Sequence, residues 1–188
     1  MPLKIVWAIT GSGDLISEVF EVMNELSEQK GVEITSVLSK AAVKVVNWYK
    51  LTDKLNRISK KVLIEEDSNT PFIVGPLQTG QFDCLVVAPA TGNTVAKVVN
   101  GIADTIITNA ISQTNKTNVG IYILPVDQKK GTTTTTLPGG KKLELTMRDI
   151  DVENTDKLRN MKGITTLMNP DEIRTVVSGL LNMVQKCK

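Results

Sequence analysis

The sequence DCLVVAPATGNT at residues 83–94 carries the strongest structural signal in this chain. Its first half is a short apolar run after one acid, which is typical of a parallel strand buried on both faces. Its second half, from Pro89 to Thr94, is small and hydroxylated and leads into a helical pattern. We expect this junction to place backbone N–H groups, hydroxyls and an amide at the carboxyl edge of a sheet, where open α/β folds bind ligands.

Strands and helices alternate on both sides of this junction. Predicted strands cover residues 3–9, 32–38, 83–88, 119–124 and 163–168, and predicted helices cover 14–29, a segment from Lys40, 94–100, 104–113, 152–161 and a final segment from Pro170. Residues 51–81 are predicted to form an irregular segment that passes over the ligand-binding edge of the sheet, with a helix near residues 53–59. The alternation predicts an α/β fold, with a three-layer α/β/α, Rossmann-like (flavodoxin-like) parallel sheet in one domain over residues 1–188.

Five consecutive threonines, Thr132 to Thr136, precede a Leu-Pro-Gly-Gly turn and an alternating segment. Because threonine favours extended structure, residues 131–148 predict a C-terminal β-hairpin arm. Such an arm is either an exposed edge or a segment that packs on a neighbouring subunit or covers a shared site.

Composition narrows the classes of function. The chain has 188 residues, a net charge of +2, 4% aromatic residues and no histidine. Scattered lysines and few aromatics argue against nucleic-acid binding, and no apolar run is long enough for a membrane span, so we expect a cytoplasmic protein. Cys84 lies in an apolar run and is expected to be a buried core residue, whereas Cys187 is expected to be a thiol in the C-terminal tail. Because the two cysteines are distant in sequence, no metal site is expected.

Three predicted strand ends carry the candidate ligand residues. They are Gly11, Ser12 and Gly13 after the first strand, Ser39 after the second, and Pro89, Ala90, Thr91, Gly92, Asn93 and Thr94. Each set alone also reads as an ordinary turn or helix cap. Together they favour a backbone-rich pocket for a mononucleotide with a flat ring. The third glycine of a dinucleotide fingerprint is missing, which disfavours a NAD site.

Catalytic side chains are harder to assign. Without an imidazole, general acid–base catalysis needs a carboxylate with a shifted pKa, which sequence alone does not reveal. Asp127 and Gln128 follow a predicted strand and are the candidates for contacting the ring or an acceptor. The scarcity of acid–base residues at this edge favours a cofactor that supplies its own chemistry.

The segment 83–94, with Gly-Ile-Ala-Asp at 101–104, resembles the flavin-binding motif of the flavoprotein superfamily of homo-oligomeric flavin-containing cysteine decarboxylases. The resemblance covers roughly residues 3–127. It implies FMN as cofactor, with Gly11, Ser12 and Ser39 near its phosphate and the loop from Pro89 holding phosphate and ribityl groups. It also implies a homo-oligomer, which we expect to be built on trimers.

Two departures argue against decarboxylation. Gly75 stands about where the decarboxylases have a histidine, and the sequence from Pro125 to Gly131 lacks their Met-Asn substrate clamp. Residues 132–165 instead resemble the branch that contains archaeoflavoprotein A and dihydromethanopterin reductase.

That branch implies an FMN-dependent oxidoreductase or electron-transfer flavoprotein. The expected donor is a ferredoxin-like protein or a reduced nucleotide, and the expected acceptor is a small molecule, in one case a pterin. Two alternatives stay open. One is a flavin prenyltransferase-like transferase, for which the loop after Pro125 offers only Lys129 and Lys130 as cations, and the other is a non-catalytic flavin-binding subunit.

Overall fold

A computed structural model describes residues 1–186 of the protein, so Cys187 lies outside the described residues. In chain order the elements are β1 (Leu3–Ile9), α1 (Ile16–Ser27), β2 (Val32–Leu38), α2 (Lys40–Trp48), α3 (Thr52–Ile58), β3 (Lys61–Ile64), α4 (Val74–Gln78), β4 (Cys84–Ala90), α5 (Gly92–Val99), α6 (Ile106–Thr114), β5 (Gly120–Pro125), β6 (Thr132–Thr136), β7 (Lys142–Thr146), α7 (Asp149–Arg159), β8 (Ile164–Thr166) and α8 (Asp171–Lys186).

The central sheet has six parallel strands in the order β3-β2-β1-β4-β5-β8. The chain winds outward from β1 in one direction and then crosses back to β4 for the other half. This reversal leaves a crevice at the carboxyl ends of β1 and β4, the position at which doubly wound sheets bind ligands. The predicted three-layer α/β fold with a parallel sheet is confirmed.

Helices cover both faces of the sheet because its strands are apolar on both sides. Along β1, Leu3, Ile5 and Trp7 pack with α1, α2, α3 and α8, whereas Val6 and Ala8 point to the opposite face and pack with α4, α5, α6 and α7. This alternation follows the two-residue period of a strand. Cys84 belongs to the first cluster, and burial raises the pKa of its thiol to about 12, so it stays protonated as a core residue.

Several predicted boundaries shift by a few residues. Helix α1 begins at Ile16 rather than at residue 14, because Leu15 has a left-handed backbone with φ of 58° that a continuous helix does not allow. Strand β4 continues to Ala90, which pairs with Pro125 of β5. Helix α5 begins at Gly92 because Thr91 already caps it.

The segment predicted as an irregular excursion contains regular structure as well. Strand β3 pairs with β2 and forms one edge of the central sheet, and the short helix α4 precedes β4. The hairpin arm is confirmed: β6 and β7 form a separate antiparallel pair in which Thr132 lies opposite Thr146. No helix within residues 1–186 is long and apolar enough to cross a membrane.

The two tryptophans allow a matched test of the core. Trp7 is fully buried and its indole N–H donates to the Ala88 carbonyl at 3.0 Å, whereas Trp48 is 55% exposed. We expect Trp7→Phe to lower the free energy of unfolding by about 2–4 kcal/mol, through lost packing and an orphaned buried carbonyl. Trp48→Phe is the control and should change it by less than about 0.5 kcal/mol. Chemical denaturation followed by circular dichroism measures both, and equal losses would contradict this account.

Candidate functional site

A cleft of about 400 Å³ opens at the carboxyl ends of β1, β2 and β4. Its lining residues are Thr10, Gly11, Ser39, Lys40, Ala41, Glu65, Thr91, Asn93, Thr94, Lys97, Thr105 and Ile107. The cleft therefore brings together residues from all three strand ends that the sequence singled out. Its volume falls within the range of small-molecule and cofactor sites.

Thr10 joins the two central strands at this cleft. Its hydroxyl donates to the Pro89 carbonyl at 2.7 Å and accepts the backbone N–H of Thr91 at 2.9 Å. Thr10 is 2% exposed, so both bonds form away from bulk water. This side chain fixes the start of the 89–94 loop relative to β1, a role that no sequence pattern predicted.

Three helices begin at the cleft. Ser39, Thr91 and Thr105 are the N-caps of α2, α5 and α6, and each side-chain oxygen accepts a backbone N–H from the first turn of its own helix. Helix N-termini carry partial positive charge and unpaired N–H groups, which favour anions. The convergence of three such ends makes this cleft a suitable place for a phosphate.

Glu65 supplies a negative charge to two of these helix ends. Its carboxylate accepts the backbone N–H of Lys40 at 2.9 Å and that of Ile106 at 3.0 Å, at the starts of α2 and α6. Glu65 is 9% exposed and lies just after β3. Sequence reasoning missed it because it belongs to the segment read as irregular. The only available signal was an acid directly after a short strand.

The turn after β1 lies partly in the cleft and partly beneath the arm. Gly11 lines the cleft, and a Cβ there would come within 2.5 Å of the Cβ of Ala41. Ser12 is 7% exposed, and its hydroxyl is shared with the backbone of Asp14 at 3.2 Å. A Cβ on Gly13 would meet the Tyr49 hydroxyl at 2.6 Å. Close packing therefore accounts for both glycines.

Likewise, only part of the 89–94 loop lines the cleft. Thr91, Asn93 and Thr94 line the cleft, whereas Pro89, Ala90 and Gly92 are not among its lining residues. A Cβ on Gly92 would lie 2.5 Å from a carboxylate oxygen of Asp127, so this glycine permits a close approach between α5 and the end of β5. The Asn93 side chain is exposed and has no hydrogen-bond partner among the described residues, which leaves its amide available to a ligand.

Asp127 and Gln128 do not line the cleft. Asp127 accepts the backbone N–H of Gly92 at 3.1 Å. The amide nitrogen of Gln128 donates to the carbonyls of Pro125, Leu167 and Met168 at 2.8 to 3.2 Å, which ties the end of β5 to the segment after β8. In the structure both side chains therefore make structural contacts, and a direct role at the ring or acceptor stays a prediction.

Asp127 has a perturbed electrostatic environment. Burial raises the pKa of its carboxyl, and the neighbouring Asp151 raises it further, while the bond from Gly92 opposes the shift. Asp151 is paired with Arg148 through two hydrogen bonds of 2.7 and 2.8 Å. The start of α5 is thus linked through two carboxylates to the base of the hairpin arm.

Because of this environment, we expect that neutralising Asp127 raises the thermal stability of the protein by an amount that depends on pH. Because the pKa of Asp127 is higher in the folded than in the unfolded chain, its ionisation costs stability as pH rises through the folded value. Asp127→Asn keeps an oxygen for the Gly92 N–H and should therefore raise Tm at pH 7.5, with a smaller gain at pH 4. Thermal unfolding at both pH values measures this, with Asp156→Asn at the exposed end of α7 as control. A lower Tm at pH 7.5 would contradict it.

Comparisons with known proteins agree with this architecture. An uncharacterized protein of Methanocaldococcus jannaschii is 50% identical over 175 residues, covering 93% of this chain and 94% of the relative. Dihydromethanopterin reductase (acceptor) of the same organism is 35% identical over a 231-residue alignment that covers 91% of this chain and 94% of the relative.

A solved structure is similar along almost the whole chain. Burkholderia xenovorans DmrB, in complex with FMN and described as a cubic protein cage for redox transfer, superimposes with a TM-score of 0.82. It is 29% identical, and the match covers 97% of each chain. The family model described as Flavoprotein matches residues 1–186. With its parallel sheet and its cleft at the strand switch, the chain belongs to the Flavoprotein family.

Proposed function

We propose that this protein is an FMN-dependent reductase whose cofactor binds in the cleft over β1, β2 and β4. The observation that carries the proposal is the meeting of three helix N-termini with a row of hydroxyls in one cleft at the strand switch. The prediction of FMN as cofactor is confirmed by the family match and by the FMN complex of the Burkholderia relative. The reductase name of the 35% identical relative supports the reaction class.

The residues of the cleft fit a phosphorylated flavin. Ser39, Thr91 and Thr105 would hold phosphate oxygens at the helix starts, and Asn93 and Thr94 would hold the polyol chain. Lys40 and Lys97 line the same cleft, so positive charge stands beside the phosphate position, although Lys97 also pairs with Asp104 at 2.8 Å. FMN, when bound, accepts and donates one or two electrons, so the protein need only bind, orient and exclude water.

The donor and the acceptor are proposed from the resemblance to the reductase branch of the family, and the name of the 35% identical relative supports a pterin acceptor. The donor is a ferredoxin-like protein or a reduced nucleotide, and the acceptor is a small molecule such as a dihydropterin. Reduction adds two electrons and two protons across one C=N bond of the acceptor. Two equivalents of a one-electron donor supply the electrons while water supplies both protons, whereas a reduced nucleotide supplies a hydride and water supplies one proton. A cytoplasmic location and a single FMN-binding domain over residues 1–188 complete the proposal.

Cysteine decarboxylation lacks the side chains it requires. The chain contains no histidine. Gly75 lies at the start of α4, where the ring of Phe72 occupies the space that a Cβ would need, so a larger residue does not fit without moving Phe72. A prenyltransferase is less favoured because Lys130, one of two lysines in the loop between β5 and β6, is 71% exposed and paired with Asp149.

The hairpin arm supports a homo-oligomer built on trimers. Every residue of β7 is exposed, including Leu143 and Leu145, and Ile150 and Met168 nearby are 48% and 44% exposed. Exposed apolar side chains of this size are typical of interaction surfaces. The Burkholderia relative is a cubic cage, and cubic symmetry contains three-fold axes. We infer that the arm contacts a second copy of the chain.

The two asparagines of α5 test the proposed cofactor site. Asn93 lies in the cleft at the start of the helix, and Asn100 caps its opposite end. Because a hydrogen bond between uncharged groups contributes roughly 0.5–1.5 kcal/mol, Asn93→Ala should weaken FMN binding by about 2- to 10-fold. Asn100→Ala should leave the affinity unchanged. Quenching of FMN fluorescence on binding measures both, and unchanged affinity in Asn93→Ala would move the site elsewhere.

Reduction of the bound cofactor tests the reaction class. Under anaerobic conditions the FMN-loaded protein is mixed with reduced ferredoxin and, separately, with NADH or NADPH, and absorbance near ~450 nm is followed. We expect bleaching by at least one donor faster than for free FMN, and recovery when a dihydropterin is added. If no donor bleaches the band while a cysteinyl peptide releases carbon dioxide, the proposed function is wrong.

A further inference from the structure

A second recess lies beside the cleft, between the hairpin arm and the start of α1, and we call it the arm groove. It consists of two adjoining cavities of about 330 and 270 Å³ that share Asp14, Leu15, Glu18 and Thr134. The larger cavity extends to Val126, Gln128 and Lys129 after β5, and to Met147 and Met168. None of the residues of the arm groove belongs to the cofactor cleft.

The arm groove and the cofactor cleft share one turn. Gly11 lines the cleft, and Gly13, two residues later, lines the groove. Both recesses therefore lie at the carboxyl edge of the sheet, on the turn after β1. A molecule in the groove would be a near neighbour of a cofactor in the cleft, which is the arrangement that electron transfer to an acceptor requires.

The arm is held in position over the groove. The Tyr49 hydroxyl donates to the backbone carbonyl of Thr136 at 3.1 Å, which fastens the far end of β6 to α2. Thr135 is 8% exposed although it lies in a two-stranded sheet whose other strand is fully exposed. The inner face of β6 thus forms a fixed wall of the groove.

The lining combines an apolar wall with two carboxylates, the partly buried Asp14 and the exposed Glu18. Leu15, Val126, Met147 and Met168 provide apolar surface suited to a flat ring, and methionine sulfur packs well against aromatic systems. Asp14 is partly buried and has no Lys or Arg partner within 4.0 Å among the described side chains. One of its oxygens accepts the Leu15 N–H at 3.2 Å, and Thr135 is a second hydrogen-bond partner, which leaves the remaining lone pairs of the carboxylate available.

We propose that the arm groove is the acceptor site and that it takes a flat bicyclic heterocycle with a 2-amino-4-oxo edge, a pterin, whose two adjacent N–H donors bind the carboxylate of Asp14. This inference rests on the proposed function and adds the location and recognition of the acceptor. The adjacent ring N–H and amino N–H present two parallel donors, the same pattern with which an arginine engages a carboxylate. A 2,4-dioxo ring presents only one donor at that edge and leaves the carboxylate partly unpaired.

Binding measurements separate this recognition from turnover. The probes are pterin and lumazine, which have the same pteridine ring but carry an amino and an oxo group, respectively, at position 2. Isothermal titration at pH 7, with FMN present in excess, is applied to the unmodified protein, to Asp14→Asn and to Glu21→Gln. Glu21 is an exposed acid on α1 outside the groove and serves as the matched control.

We expect the unmodified protein and Glu21→Gln to bind pterin at least about 10-fold more tightly than lumazine. This difference in affinity is typical of one missing hydrogen bond to a charged group. Asp14→Asn should bind both probes with the weaker affinity while its affinity for FMN stays the same. Equal binding of pterin and lumazine by the unmodified protein would overturn the inference without any variant, as would an undiminished preference in Asp14→Asn. Because FMN affinity and donor-driven bleaching are measured without a pterin, their failure refutes the proposed function and leaves the pterin test intact.

Discussion

The hydroxyl of Thr10 holds the central crevice of this fold together. It bridges the ends of β1 and β4, donating to Pro89 and accepting from Thr91, at the point where the strand order reverses. The sheet ladder between β1 and β4 ends at Ala8 and Val87, so this side chain continues the connection beyond the regular pairing. The backbone N–H of Thr10 also donates to the Pro89 carbonyl at 3.3 Å, so the loops that follow the two strands stay joined beside the cleft.

The electrostatic environment of the cleft depends on how the strand ends position the helices that follow them. The starts of α2, α5 and α6 converge there, and their summed partial charges would repel one another without an anion nearby. Glu65 supplies one anion to α2 and α6, and Asp127 supplies a carboxylate to the first N–H of α5. Glu65 lines the cleft, whereas Asp127 does not, and the other polar lining residues are hydroxyls, Asn93 and two lysines. A phosphate bound there, as we propose, would meet helix ends whose first N–H groups are oriented by these carboxylates.

Sequence patterns predicted the elements of the sheet better than the contacts of the site. The predicted bounds of β1 and β2 match the structure to the residue, because Gly31 and Ser39 flank β2 and a Gly-Ser-Gly turn follows β1. Ser39 was recognised as a cap and confirmed as one. Glu65 and the left-handed Leu15 escaped prediction because both depend on tertiary neighbours: the first pairs with helices far away in sequence, and the second breaks a pattern that reads as helix from residue 14.

The chain contains no histidine, and neither the proposed cofactor cleft nor the proposed arm groove requires one. Where a cofactor supplies the electrons, side chains need only hold two flat molecules at adjoining positions. Hydroxyls and helix ends suffice for the phosphorylated one, and a half-buried carboxylate beside an apolar wall suffices for a ring that presents N–H donors. A histidine at either place would add a group that titrates near neutral pH, whereas threonine and asparagine do not titrate. The turn that contains Gly11 and Gly13 lies between the two sites. Because neither glycine has a Cβ, the turn packs closely against Ala41 on one side and Tyr49 on the other.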